Sequence, residues 1–351
     1  MSSVLSLARP DILELQPYQH ASWDPSLERM HANEMPWRAQ GDNTGAGLNR
    51  YPEPQPRALV ERMARLYGVP ASRILVGRGS DEAIDLLVRA FCRAGADGVV
   101  ICPPTFGFYK VAARIQGAAV TEVPLRDDGF RLDTPGVIEA GRRAKIVFLC
   151  SPNNPTGNLL DEADLIETCR ALAGSALLCV DEAYLEFSGR PSLAARLDGL
   201  PNLVILRTLS KAYALAGARC GTLVASEEIV GLLKRIIPPY AIPSSTVEEV
   251  LKLTEAPQRA IATERIRTIL AERETMRTRL AAMPGVVRVF PSDANFLLVR
   301  CRDARRVLEA GKSVGLLVRD FSSAPRLEGC LRITIGTPEQ NARLLAALER
   351  T

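Results

Sequence analysis

Histidine is almost missing from this chain of 351 residues: only His20 and His31 occur. With two imidazoles, a zinc centre or a Ser–His hydrolase has little to be built from. The eight cysteines, Cys92, Cys102, Cys150, Cys169, Cys179, Cys220, Cys301 and Cys330, include no C-x-x-C pair. Several sit inside apolar runs, so buried reduced thiols are expected, not disulfides or metal ligands. No long basic block accompanies the net charge of +4, which leaves nucleic-acid binding without electrostatic support. No apolar run reaches the length of a membrane span, and residues 1–10 lack the charged-then-apolar pattern of a secretory signal, so a cytoplasmic protein is expected. Repeats and low-complexity segments are absent too. Lysine is scarce: six lysines stand against 38 arginines.

What is present is the composition of an ordinary soluble protein, 47% hydrophobic and 24% charged. The length exceeds that at which single cores stop growing, so two domains are expected. Residues 1–45 read as an extended arm with a short helix. Over 46–240, short apolar runs alternate with amphipathic segments. Strands are predicted over 73–76, 99–102, 120–122, 146–150, 177–180, 203–206 and 220–224, and helices over 57–67, 80–92, 109–116, 161–172 and 226–236. That alternation implies right-handed crossovers and a mostly parallel sheet, and near-continuous apolar strands such as 146–150 suit a sheet covered on both faces. Pro238, Pro239 and Pro243 break the pattern. A long charged helix is predicted over about 246–282, kinked at Pro257. It leads into a smaller α+β unit with strands over 286–290, 294–299, 316–318 and 331–335 and helices over 304–313 and 338–348.

One of the rare lysines, Lys211, follows the apolar run at 203–206 and is flanked by small and apolar residues. Unlike arginine, lysine forms an imine once it loses its proton, and desolvation lowers an amine pKa. Taken alone it would be a solvated surface charge. Its neighbours change the reading. Asp181 ends the apolar run 177–180, where a doubly wound sheet opens its ligand crevice. Asn154 lies in Ser151-Pro152-Asn153-Asn154-Pro155-Thr156-Gly157, directly after the run at 146–150. Gly77-Arg78-Gly79-Ser80-Asp81-Glu82 opens a helix, with Ser80 as N-cap; such an end offers N–H groups and a positive dipole to a phosphate. Arg219, eight residues past Lys211, is a candidate phosphate clamp. An imine-forming amine, a carboxylate, neutral donors and a phosphate cradle match the needs of pyridoxal phosphate.

These motifs, together with Asn49-Arg50-Tyr51-Pro52, Cys102-Pro103-Pro104-Thr105-Phe106-Gly107, Asp181-Glu182-Ala183-Tyr184, Thr208-Leu209-Ser210-Lys211-Ala212 and Leu331-Arg332-Ile333-Thr334-Ile335-Gly336, run in one order over nearly the whole chain. In this the chain resembles the fold-type I pyridoxal-phosphate aminotransferases, and among them the histidinol-phosphate aminotransferases. The resemblance implies a large α/β domain (46–240) with a mostly parallel seven-stranded sheet between helices, and a smaller α+β domain formed by 1–45 and 241–351. It implies that Lys211 forms the Schiff base and shuttles the proton, and that Asp181 holds the pyridine nitrogen protonated. Asn154 and Tyr184 would bond the ring's phenolic oxygen. Backbone N–H groups of Ser80 and Asp81, with Ser210 and Arg219, would hold the cofactor phosphate. Phe106 would stack on the ring, with Tyr109 as a nearby alternative. Tyr51 would reach the neighbouring subunit's cofactor, which implies a homodimer. Tyr18 would line the substrate pocket, and Arg332 would receive the anionic end of histidinol phosphate and of glutamate, with Arg319 as a second candidate. The reaction implied joins histidinol phosphate and 2-oxoglutarate in histidine biosynthesis. Aromatic aminotransferases and related decarboxylases share most of these motifs and stay open as alternatives; a non-catalytic domain is disfavoured by the intact Lys211, Asp181, Asn154 and Arg219.

Overall fold

A computed structural model describes residues 3–20, 24 and 26–350. Parts of the expected arm, at 1, 2, 21–23 and 25, lie outside the described residues. The arm begins with a 3-10 turn (Val4–Leu7) whose Val4 and Leu7 are buried in the core of the large sheet, followed by helix α1 (Pro10–Glu14); the described residues from there to 54 form no strand or helix and are mostly exposed.

The large sheet is built from β1 (Ile74–Gly77), β2 (Gly98–Ile101), β3 (Ala119–Glu122), β4 (Ile146–Cys150), β5 (Leu177–Asp181), β6 (Leu203–Thr208) and β7 (Gly221–Ala225) in the order β1-β7-β6-β5-β4-β2-β3. Only β7 runs against its neighbours. The helices before, between and after them are α2 (Arg57–Tyr67), α3 (Ser80–Phe91), α4 (Phe108–Ile115), α5 (Thr134–Gly141), α6 (Glu162–Ala171) and α7 (Glu227–Leu233). Apolar side chains of β4 alternate between two cores: Val147 and Leu149 join one, Ile146, Phe148 and Cys150 the other. Strands covered on both faces need apolar residues at every position, which is why these runs are unbroken. The parallel register sets Cys150 beside Asp181 and Asp181 beside Leu206, so the chain leaves β4, β5 and β6 at one edge.

Helix α5 was not expected. Its sequence Thr-Pro-Gly-Val-Ile-Glu-Ala-Gly is poor in helix formers, and only Pro135 near its start marks it. The single helix expected over 246–282 is two: α8 (Ser244–Leu253) and α9 (Ala256–Ala281). Pro257 sits in the first turn of α9, where its missing N–H costs nothing, and its ring bars an unbroken helix from α8. Helix α8 stays with the large sheet. Its Val250 is buried in that core, and Arg62 Nη1 of α2 donates to the Leu251 carbonyl at 2.6 Å.

Helix α9 leads to the second sheet, of β8 (Val286–Val289), β9 (Phe296–Cys301), β10 (Arg319–Asp320) and β11 (Cys330–Thr334), antiparallel in the order β10-β11-β9-β8. Helices α10 (Ala304–Ser313) and α11 (Pro338–Glu349) cover it. The strand expected over 316–318 is displaced to β10, because pairing with β11 begins only at Arg319. Leu331 and Ile333 enter the small core, which turns Arg332 between them to the opposite face.

Candidate active site

Six segments converge on one edge of the large sheet: the start of α3 after β1, the loop after β2, the loop after β4, Asp181 at the end of β5, the loop after β6, and the start of the antiparallel β7. Between them lies a cavity of about 160 Å³, lined by Ser80, Asp81, Phe106, Asn154, Asp181, Tyr184, Ser210, Lys211 and Arg219, all expected from the sequence, and also by Gly79, Cys150, Ala183, Thr208 and Ala216.

Lys211 is open to this cleft, yet the protein around its amine lowers its pKa; burial contributes most, the Arg332 cation next, and Asp181 opposes both. Asp181 is buried, and its carboxyl is pushed up to about 6, chiefly by desolvation. Two donors counter that: the Tyr109 hydroxyl donates to Oδ2 at 2.8 Å and the Ala183 amide to Oδ1 at 3.1 Å. Tyr109 is therefore not the alternative stacking residue. It is fully buried beneath the cavity, stacked on Phe148 with centroids 5.0 Å apart, while Phe106 lines the cavity and meets Tyr109 edge-on. Tyr184 is buried with its phenol pKa raised by desolvation, and the Lys211 amine lies 5.6 Å from its ring centroid.

The loop after β4 is held by Asn153, a residue the sequence reading passed over. Its Nδ2 donates to the Pro104 carbonyl at 2.8 Å and to Thr156 Oγ1 at 2.7 Å, and its Oδ1 accepts from Thr105 at 2.9 Å. That leaves Asn154 facing the cavity, its Oδ1 accepting from Arg332 Nη1 at 2.5 Å. Thr208, also missed, braces Ser210: the two hydroxyls are 2.9 Å apart, and the Ser210 amide donates to Thr208 Oγ1 at 3.1 Å.

At the start of α3 the N-cap is Gly79, not Ser80, and no side chain caps the helix. The first-turn N–H groups thus keep their donor capacity for a phosphate. Arg219 packs beside them, its Nη2 3.3 Å from Asp81 Oδ2; a Cβ on Gly79 would stand 2.6 Å from that same Nη2. Gly221, another missed residue, backs the cradle. A Cβ there would lie 2.3 Å from the Gly79 carbonyl carbon and 2.4 Å from the Ser80 nitrogen. Only glycine permits this approach of β7. A buried acid, a lysine of lowered pKa and an uncapped helix start fit a phosphorylated pyridine aldehyde.

The cation that acts on Lys211 from the small domain, Arg332, is one of a facing pair of arginines. Arg332 of β11 lies directly across from Arg319 of β10, so both side chains leave the same face. Among the described residues neither forms an ion pair with a carboxylate. The Arg332 guanidinium sits 5.3 Å from the Phe296 centroid and 5.5 Å from that of Phe321, and its Nε is buried without a partner. Arg319 is exposed and lies 5.8 Å from the Phe321 centroid.

Residues 26–348 match the family described as aminotransferase class I and II. The chain belongs to that family. A histidinol-phosphate aminotransferase of Stenotrophomonas maltophilia is 48% identical over 99% of this chain and 97% of its own length. Among solved structures, a histidinol-phosphate aminotransferase of Sinorhizobium meliloti in complex with pyridoxal-5'-phosphate is 28% identical, with a TM-score of 0.78 over 86% of this chain and 82% of that one. An L-threonine-O-3-phosphate decarboxylase of Porphyromonas gingivalis is 26% identical, with a TM-score of 0.73 over 86% and 90%.

Of the residues expected at the site of this aminotransferase, four do not line the cavity: Arg332 adjoins it through Asn154, Arg319 stands across from Arg332, and Tyr51 and Tyr18 are not brought to it within one chain. Tyr51 is 51% exposed and stacks on Tyr240 at 4.7 Å; Tyr18 is 67% exposed and meets His20 edge-on. Neither lines the cavity. The backbone at Tyr51 is nonetheless pinned. Its amide donates to Glu34 Oε1 at 2.6 Å, and Glu34, itself buried as a side chain, pairs with Arg29 at 2.8 Å and Arg50 at 3.0 Å.

Proposed function

We propose that this aminotransferase exchanges an amino group between L-histidinol phosphate and 2-oxoglutarate in histidine biosynthesis, with pyridoxal 5'-phosphate as cofactor. The observation that carries the reading is the facing pair Arg319 and Arg332 without a carboxylate. Like charges directly opposite on a sheet oppose folding, so such a pair is best explained by an anion that neutralises it. One guanidinium fork suffices for a carboxylate, while a phosphate carries more charge and more acceptor oxygens. The relatives' names point the same way.

When bound, pyridoxal phosphate supplies an aldehyde that takes up the amino group and a ring that accepts electrons from the substrate carbon. The start of α3, with Ser210 and Arg219, would hold its phosphate. Asp181 would hold the proton on the ring nitrogen, and the burial of that carboxylate strengthens the pairing. Asn154 Nδ2 and the Tyr184 hydroxyl would donate to the phenolic oxygen, with Phe106 on the ring face. Lys211 would anchor the aldehyde and carry the proton to and from the substrate carbon; a lowered pKa favours the neutral amine that both tasks need. A second copy of the chain belongs to the proposal. The exposed Tyr51, held in place by Glu34, would reach the partner's cofactor phosphate, and Tyr18 would close the substrate pocket.

The test is a half-reaction titration that follows the cofactor's absorption. Histidinol phosphate and glutamate should each discharge the absorption of the loaded enzyme at micromolar to millimolar concentration, and phenylalanine far less readily. A preference for phenylalanine would make the enzyme an aromatic aminotransferase. Carbon dioxide released from a phosphorylated amino acid would make it a decarboxylase.

A further inference from the structure

The hydroxyl of Tyr109 has no part in the roles above, yet it is the nearest side-chain donor to the buried acid. Tyr109 is the second residue of α4, with no exposed surface. Its phenol donates to Asp181 Oδ2 at 2.8 Å, while the Ala183 amide takes Oδ1. One donor on each oxygen fixes the plane of the carboxylate and leaves each oxygen a further lone pair. The same ring lies flat on Phe148 of β4, with planes 4° apart, and stands at 85° to Phe106, 5.5 Å between centroids. One side chain thus touches the acid, the strand beside it and the aromatic that lines the cavity.

We propose that Tyr109 is a positioning residue: its hydroxyl keeps Asp181 ionised and aimed at the ring nitrogen, and its ring sets the tilt of Phe106. The inference rests on Asp181 serving that nitrogen. Burial drives Asp181 towards its neutral form, and the Tyr109 hydrogen bond is the largest influence holding it ionised. Ala183 makes the smaller contribution. Asp81 opposes ionisation and Lys211 favours it, and the thiols of Cys150 and Cys179 also lie in the field of Asp181. A neutral Asp181 would have to shed its proton before it could accept one from the ring. Cofactor affinity is therefore present above the pKa of Asp181 and lost as pH falls through it.

The experiment measures the dissociation constant of pyridoxal phosphate from pH 5 to 9, by equilibrium dialysis, for the wild type, Tyr109→Phe, Asp181→Asn and Tyr109→Leu. Tyr109→Phe keeps the ring and removes only the donor. The pH below which affinity is lost should rise by roughly 1–2 units, the size of one hydrogen bond to a charged group. Affinity at pH 7 should fall about two- to tenfold and largely recover by pH 8.5–9. Tyr109→Leu, which removes the ring as well, should add a loss that does not recover at high pH. An unshifted midpoint in Tyr109→Phe, or a loss equal at every pH, would overturn the proposal, the latter reducing Tyr109 to a core residue. Asp181→Asn should abolish the midpoint. If the midpoint persists there, the titrating group is not Asp181, and the role assigned to that acid fails rather than the role of Tyr109.

Discussion

Replacing Arg332 and Arg319 separately by alanine should give opposite signs in binding and in stability. Arg332 is part-buried between Phe296 and Phe321, donates to Asn154 and has no acid beside it. Truncating a desolvated partner of an anion costs ~2–5 kcal/mol, or roughly 30- to several-thousand-fold in kcat/KM at about 1.4 kcal/mol per tenfold. Both histidinol phosphate and glutamate should suffer, because both would place an anion there. Arg319 is exposed, so its loss should cost glutamate less than about fivefold. For the phosphate substrate it should cost roughly 10- to 150-fold, the size of one charge-assisted hydrogen bond. The folded protein should respond the other way. Facing like charges on paired strands oppose folding by about 0.2–1 kcal/mol, towards the lower end here because Arg319 is solvated and screened. Arg319→Ala should therefore leave the melting temperature of the cofactor-free protein unchanged or slightly raised while harming turnover of histidinol phosphate. Steady-state kinetics with each substrate and thermal melts at low and high salt check both halves. If Arg332→Ala spares either substrate, the shared anion site is wrong. If Arg319→Ala affects the two substrates equally, its selectivity for phosphate is wrong. If it lowers the melting temperature, the arginine serves the fold.

Four further outcomes are expected. Lys211→Ala should fold and still take up cofactor but lose turnover, and borohydride reduction of the loaded wild type with peptide mapping should mark Lys211; a mark on another lysine sinks the assignment. Asp181→Asn should cut turnover by orders of magnitude yet raise the stability of the cofactor-free fold above pH 6. A carboxyl at about 6 when folded and 3.8 when unfolded binds its proton more tightly in the fold, so the burial cost is full above pH 6, at most about 3 kcal/mol, and fades as pH falls towards 4; melts across that window check the sign. Gly221→Ala should weaken pyridoxal phosphate at least tenfold in dialysis but pyridoxal much less, since the added carbon meets backbone of the phosphate cradle. Mixed Lys211→Ala and Tyr51→Ala subunits, each inactive alone, should regain activity on exchange because one site of the hybrid dimer keeps both residues; proven exchange without recovery would confine Tyr51 to its own subunit.

Runs of four or five apolar residues followed by an acid, an asparagine loop or a lysine loop were readable from the chain alone. In a sheet covered on both faces every strand position must be apolar, so polarity returns only at the strand end, where the crevice lies. That is why Asp181, Asn154, Lys211 and the family were accessible from residue order, and why strand alternation puts Arg332 on the face opposite the core residues Leu331 and Ile333. Three-dimensional packing decided what depends on partners distant in sequence. Tyr109 was taken as a second candidate for the ring face, because nothing local shows that α4 buries it against an acid 72 residues away. That Arg319 and Arg332 face each other emerged only once β10 and β11 paired, since the register across strands is not written in either segment. Gly221 looked like any strand glycine until β7 came within 2.4 Å of the phosphate cradle, measured to the carbon it lacks. Periodicity records which face of an element is buried; only the assembled fold decides what that face meets.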